Sequence, residues 1–223
     1  MYLEATMRLV LLGPPGAGKG TLSEALLERY DCCHISTGDI FREHQKNQTD
    51  FGKLLSSYID KGQFVPDDIV LKIIGDYLKN QVGNKGFIFD GFPRTLAQAS
   101  ALEKLLADMN IALDAVVCLE VPTELLVKRL VNRRVCPKCK AVYHLINKKP
   151  INDGICDHDG TELMHREDDR EDVIVERMRL YNKNTEPLIE FYKERGLLVS
   201  ADGSASPQEV NQAVCLKLES LNK

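Results

Sequence analysis

One short segment constrains this chain more than any other. Gly13-Pro14-Pro15-Gly16-Ala17-Gly18-Lys19-Gly20-Thr21 follows an apolar run, Arg8 to Leu12, and precedes a helical pattern from Lys19 to Tyr30. Its spacing, G-x-x-x-x-G-K, is that of a phosphate-binding loop. Glycines let successive backbone N–H groups converge on phosphate oxygens, and the helix N-terminus adds positive potential. Lys19 is placed to reach the outer phosphates, and the Thr21 hydroxyl to lie near magnesium bound with them. The residue after Lys19 is Gly20, where the pattern has Ser or Thr. The motif implies a nucleotide phosphate without saying which reaction follows.

The rest of the chain extends that start. Gly86–Asp90, Ala115–Val121 and Leu197–Ala201 are strand-like, and Cys33–Ser36 is a doubtful strand. Amphipathic stretches lie at Leu96–Met109, Thr123–Arg134, Glu171–Arg195 and Pro207–Leu221. Strands alternating with helices predict an α/β fold, a parallel sheet of about five strands with helices on both faces. Residues 37–79 and 135–165 break the alternation and read as excursions from that core. A length of 223 residues fits one core carrying such insertions.

Lys plus Arg is 29 and Asp plus Glu is 33, a net charge of −4. An acidic chain is not built to grip nucleic acid non-specifically, so a nucleic-acid partner is not expected. No apolar run approaches the roughly 18 residues of a membrane span, so no membrane partner is expected. Met1–Met7 carries Glu4 and no arginine, unlike a signal or transit peptide. Seven cysteines, an odd number, favour a reduced compartment with some thiols on a metal. The cytoplasm is expected, with the mitochondrial matrix also compatible. A monomer is the default, since no heptad repeat is visible.

A second set of polar residues sits at other strand ends. Ser36-Thr37-Gly38-Asp39 and Arg42 follow the doubtful strand; Asp90-Gly91-Phe92-Pro93-Arg94 ends another, with Gln98 one helical turn on. Ligands of open α/β sheets bind at carboxyl ends of strands. Gly13, Ser36 and Asp90 should therefore face one crevice. Asp90 is the kind of group that holds magnesium through water, and Arg42 and Arg94 are planar forks suited to phosphate.

With these blocks in view, the chain closely resembles the adenylate kinases of the long, lid-containing type. GPPGAGKGT, STGD-x-x-R, DGFPRT with Gln98, the pair Arg133–Arg134 and the R-x-D-D run from Arg166 all match, over about Leu9 to Val210. The resemblance implies a P-loop NTPase-like fold and magnesium-dependent conversion of ATP and AMP to two ADP. It implies a core at residues 1–35, 66–131 and 170–223, an AMP-binding segment at 36–65 and a lid at 132–169.

Residue by residue, the resemblance gives Gly16, Ala17, Gly18, Lys19, Gly20 and Thr21 to the ATP phosphates. Arg129 would stack on the donor adenine, Val142 and Tyr143 would line its site, and Ala205 would meet the base through its backbone. Thr37, Arg42, Gln63, Phe64, Val65, Gly91, Phe92, Pro93, Arg94 and Gln98 would hold AMP, with Gln98 on the adenine edge. Arg133, Arg166 and Arg177 would surround the transferring phosphoryl group. Phosphoryl transfer needs alignment and positive charge more than covalent work by the protein. The catalytic set is then Lys19, Asp90, Arg94, Arg129, Arg133, Arg166 and Arg177; the role of Arg134 is open.

The cysteines carry a further signal. Cys136-Pro-Lys-Cys139 is followed later by Cys156-Asp-His-Asp159, two pairs with the same spacing. Two such knuckles can close a tetrahedral site, with thiolates as strong zinc ligands and a carboxylate as the fourth. His158 in place of Asp159, a redox disulfide and a nucleic-acid zinc ribbon are alternatives; Asp153, Asp157, Asp159 and Glu162 argue against the ribbon. Some long-type adenylate kinases carry a lid zinc held by three cysteines and one aspartate, and this sequence looks like that variant. Four protein ligands leave no open position, so the zinc would be structural. Cys118, Cys215, Cys32 and Cys33 read as packing, and His34, His44, His144 and His165 as structural or solvated.

Three rival readings follow from the same residues. A GTP:AMP phosphotransferase of the same family differs only in the donor-base pocket. A UMP/CMP kinase fits the long lid and Gln98 less well. A non-catalytic nucleotide or zinc-binding regulator would not need Lys19, Asp90 and six arginines together.

Overall fold

The apolar runs become the strands of one sheet. A computed structural model describes residues 6–47, 50–82 and 85–221; residues 1–5, on which part of the reading of the start rests, lie outside it. Strands β1 (Arg8–Leu12), β2 (Cys32–Ser36), β3 (Gly86–Asp90), β4 (Ala115–Glu120) and β7 (Leu198–Asp202) pair in parallel, in the order β2-β3-β1-β4-β7. Val10 stands opposite Phe89 on one side and Val116 on the other. Successive strand residues point to opposite faces, and both faces are apolar here. Leu9, Leu11, Ile88 and Val117 pack with α1 (Lys19–Leu27) and α9 (Pro207–Leu221). Val10, Leu12, Phe87, Phe89 and Val116 pack on the other side with α4 (Asp67–Tyr77), α5 (Leu96–Asp108) and α8 (Leu188–Lys193). Burying one such phenylalanine contributes about 1.5–3 kcal/mol. The doubtful strand is real: β2 pairs with β3 from Cys32↔Gly86 to Ser36↔Asp90 at the sheet edge.

Two helical stretches end sooner than their periodicity suggests. The pattern over Thr123–Arg134 yields α6 only as Thr123–Val131. Asn132 stops it: its Nδ2 donates back to the Lys128 carbonyl at 2.9 Å. Its own carbonyl accepts the Leu145 N–H at 2.9 Å, so the chain leaves as a strand. The stretch Glu171–Arg195 is split into α7 (Glu171–Leu180), a π turn at Tyr181–Thr185 and α8. Pro187 lies at that break and has no N–H to continue the ladder.

The first excursion holds α2 (Thr37–Lys46), α3 (Asp50–Ile59) and α4; Ser36 caps α2 by accepting the Asp39 N–H at 3.2 Å. The second holds a hairpin, β5 (Arg133–Val135) antiparallel to β6 (Val142–His144), and then turns. Its buried cluster is small: Cys136, Tyr143 and Cys156, flanked by Ala141 and Leu163.

Candidate active site and metal centre

The carboxyl ends of β1, β2 and β3 open on one crevice of about 1220 Å³. After β1 the chain turns through Gly13 and Gly16, at φ 138° and 83°. A Cβ on Gly16 would meet Leu130 Cγ at 3.0 Å and the Leu126 carbonyl at 3.1 Å, because α6 packs directly on the loop. Lys19 folds back over it and donates to the Gly13 and Pro14 carbonyls at 2.7 and 3.0 Å. Burial pushes its pKa down to about 8; Asp90 opposes that shift, and Arg94, Arg177 and Arg133 add to it.

The crevice is lined by Gly16, Ala17, Gly18, Lys19, Gly20, Thr21, Arg129, Arg133, Val142, Tyr143 and Ala205 on the loop and hairpin side. Thr37, Arg42, Gln63, Phe64, Val65, Asp90, Gly91, Pro93, Arg94, Gln98, Arg166 and Arg177 line the rest. Phe92 is the member of the expected set that does not line it. Its ring is fully buried and packs edge-on against Phe89, with centroids 5.6 Å apart. Within Asp90–Arg94, only Phe92 turns its side chain away from the crevice, into the core. Tyr143 lines the crevice and has a second part in the structure. Its ring is buried and its hydroxyl accepts the Asp157 N–H at 2.8 Å, 3.5 Å from Cys156 Sγ. Its hydroxyl braces the cysteine cluster.

Three of the arginines are held by acids. Arg133 makes a two-pronged pair with Asp169, Nε to Oδ2 at 2.7 Å and Nη2 to Oδ1 at 2.6 Å. Asp169 is fully buried and also takes Arg177 Nη1 at 3.0 Å. Arg177 reaches Asp168 Oδ2 at 3.1 Å, and burial opposed by four arginines leaves the Asp168 carboxyl below its usual range. Arg42 pairs with Asp39 at 2.6 Å. Arg166 is different: its Nε is buried and without a partner among the described residues, and burial with Arg42 and Arg133 lowers its pKa. A buried, unpaired guanidinium N–H needs an acceptor, which an anionic ligand in the crevice would supply.

On the opposite wall, Arg94 Nε donates to the Gly91 carbonyl at 2.7 Å, and its guanidinium lies 5.4 Å from the Phe64 ring centroid. Thr37 Oγ1 donates to the same carbonyl at 2.9 Å. Arg129 Nη1 donates to the Ala17 carbonyl at 3.4 Å. Gln98 is buried, and its amide contacts lie inside the protein.

At the hairpin, one ligand atom from each of Cys136, Cys139, Cys156 and Asp159 falls within 4.8 Å of the others. The two knuckles are built alike. Cys136 N–H donates to the Ala141 carbonyl at 2.9 Å, and Cys156 N–H to that of Thr161 at 2.8 Å. Lys140 and Gly160, at φ 65° and 70°, turn the two loops. Three thiols and a carboxylate so arranged fit a tetrahedral metal ion. Asp159 completes this group, His158 is exposed, and the cysteines are free thiols among the described residues.

Several working residues escaped the sequence reading. Asp168 and Asp169 lay inside the quoted R-x-D-D run, but only the fold shows which arginines they hold. Asp39 pairs with Arg42 across the (i, i+3) spacing that could have suggested it. His144, expected to be structural or solvated, accepts two backbone N–H groups at Nδ1, from Ile146 and Asn147 at 3.1 Å each, and also lines the crevice.

A phosphate loop opening a parallel five-stranded sheet, with cations from several elements facing one crevice, defines a P-loop phosphotransferase. The family model for adenylate kinase matches residues 11–197. The adenylate kinase of Caldicellulosiruptor saccharolyticus is 48% identical over 208 residues, 93% of this chain and 97% of its own. Those of Clostridium beijerinckii and Archaeoglobus fulgidus are each 46% identical, over 94% and 96% of this chain and 97% and 99% of their own. The chain belongs to the adenylate kinase family.

Proposed function

We propose that this protein transfers the terminal phosphoryl group of ATP to AMP, reversibly, giving two ADP. The observation that carries this reading is the gathering of Lys19, Arg42, Arg94, Arg129, Arg133, Arg166 and Arg177 around one crevice large enough for two nucleotides. The loop N–H groups and Lys19 hold the donor phosphates. Arg42 and Arg94 hold the AMP phosphate, and Gln98 meets its base. Arg133, Arg166 and Arg177 face the group in flight, where charge spreads over its equatorial oxygens. The acceptor phosphate is already anionic, so no general base is required. Arg129 and the backbone at Ala205 sit beside the donor base.

Magnesium enters with ATP as part of the substrate; Asp90 and Thr21 are the oxygen groups beside the loop that would hold it. It neutralises phosphate charge when bound. Zinc is the ion assigned to Cys136, Cys139, Cys156 and Asp159, on the strength of a thiolate-rich set of four. It supplies structure there, replacing a core that so few buried side chains cannot make.

Residues 1–35, 66–131 and 170–223 form the core, 36–65 the AMP-binding segment and 132–169 the lid. Both substrate sites lie in one chain's crevice, which supports a working monomer. Three thiolates that must stay reduced support a cytosolic setting. A coupled assay of ADP formation with AMP as acceptor and ATP, GTP or UTP as donor tests the reading. ATP is expected to be the best donor. Faster transfer from GTP would reassign the donor, and no transfer from any of them would overturn the reading.

A further inference from the structure

Both ends of the Gln98 amide are fixed by neighbours that allow only one orientation. Oε1 accepts the Arg94 backbone N–H at 2.7 Å, and Nε2 donates to Asp67 Oδ1 at 2.6 Å. A backbone N–H can only donate, and an ionised carboxylate can only accept. Turning the amide over would set Oε1 against the carboxylate and Nε2 against the N–H. Gln98 is 2% exposed, so water cannot relieve that mismatch. Asp67 is held in turn: its Oδ2 accepts from Thr95 Oγ1 at 3.1 Å, while Thr95 Oγ1 accepts the Gln98 N–H at 3.1 Å and caps α5. Asp67 opens α4 two residues after Val65 and is not among the residues lining the crevice.

The pinned amide has one N–H and one oxygen lone pair left to offer. Adenine presents an amino N–H next to a ring nitrogen acceptor, and a glutamine amide reads that pair with two hydrogen bonds. A 6-oxopurine carries an acceptor where adenine carries the amino group, and needs the amide reversed. We propose that Asp67 is a positioning residue that locks the Gln98 amide in the orientation accepting a 6-aminopurine monophosphate and rejecting a 6-oxopurine one. It sets acceptor specificity without touching the nucleotide. This rests on the reading of Gln98 as the group that meets the acceptor base.

Asp67→Asn tests it, because a carboxamide of the same size can donate as well as accept and so removes one of the two restraints on the Gln98 amide, leaving the Arg94 N–H as the other. The measurement is kcat/KM for AMP and for inosine monophosphate, with ATP as donor, on the full chain. The AMP-to-IMP ratio should fall about tenfold or more, through a higher KM for AMP and new use of IMP, at unchanged KM for ATP. A merely structural role would depress both acceptors together and leave the ratio where it was. Asp67→Ala, which removes the acceptor outright, serves as the second variant, with the melting temperature of each recorded. An unchanged ratio in a folded Asp67 variant overturns the proposal. Gln98→Ala separates the two layers. If it leaves the KM for AMP untouched, the reading of Gln98 falls and this inference with it. If it raises that KM while the Asp67 variants keep the wild-type ratio, only the role of Asp67 falls.

Discussion

The sheet-bearing core and the hairpin excursion solve the same problem with different chemistry. The core buries both faces of β1, β3 and β4 under helices, with Leu9, Ile88, Phe87 and Phe89 fully removed from water. The hairpin buries Cys136, Tyr143 and Cys156, while Ile146 and Ile151 stay 66% and 87% exposed. Apolar burial can hold the first. The second needs another source of order, and its four converging ligand atoms are the candidate. Loss of packing should therefore threaten the whole molecule, and loss of metal only one part.

The largest expected effect is on the core. Phe89→Ala removes a fully buried ring between two others and should lower stability by about 3–5 kcal/mol. Chemical denaturation should show a single transition at much lower denaturant; a shift under 1 kcal/mol would mean that the sheet does not govern stability.

Lys19→Ala should leave folding intact and cut kcat by roughly a hundred- to a thousandfold. Steady-state ADP formation beside circular dichroism checks both halves, and activity within about threefold of wild type would refute the assigned role.

Metal removal is the sharpest contrast between the two regions. The purified protein should hold about one zinc per chain. Chelation should lower the melting temperature more than it lowers activity at low temperature if, as proposed, the metal orders the hairpin excursion and takes no part in transfer. Metal analysis finding no zinc after reducing purification counts against the assignment. Activity lost on chelation with stability unchanged would make the ion catalytic.

The smallest effect is with pH. Lys19 falls from an ordinary 10.5 to about 8 in the folded protein. Its charge is lost as pH rises through about 8, so kcat/KM for ATP should decline a few-fold above that pH. Stability moves the other way. Between about 8 and 10.5 the unfolded chain binds the extra proton, so this group makes folding more favourable as pH rises. A flat kcat/KM profile to pH 10 would mean that Lys19 keeps its proton in the free enzyme.

What the sequence disclosed follows from how local each signal is. The phosphate loop is contiguous, and its strand, turn and helix each leave a mark within a few residues. The two knuckles were equally legible, since Cys136–Cys139 and Cys156–Asp159 repeat one spacing. The helix end at Asn132 was not, because Arg133 and Arg134 continue a good helical pattern and only the bond to the Leu145 N–H shows where the chain departs. The motif groups Phe92 with residues of the crevice, and only the fold shows its ring turned into the core against Phe89. The link from Asp67 to Gln98 spans 31 positions, and nothing in either segment announces the other.

The pair between Arg133 and Asp169 has a mechanical meaning. Arg133 begins the outgoing strand of the hairpin excursion, and Asp169 ends its return just before α7. The two bonds at 2.7 and 2.6 Å clamp both legs together at the base. Anything mounted above that clamp turns about it as a lever turns about its fulcrum. A modest rotation there would carry the cysteine knuckles, which lie beyond the Val135–Val142 pair, further than it carries Arg133. The doorway and the charges are thus geared differently. An opening of that kind would widen the mouth of the crevice while the guanidinium groups proposed to meet the phosphates keep close to their places.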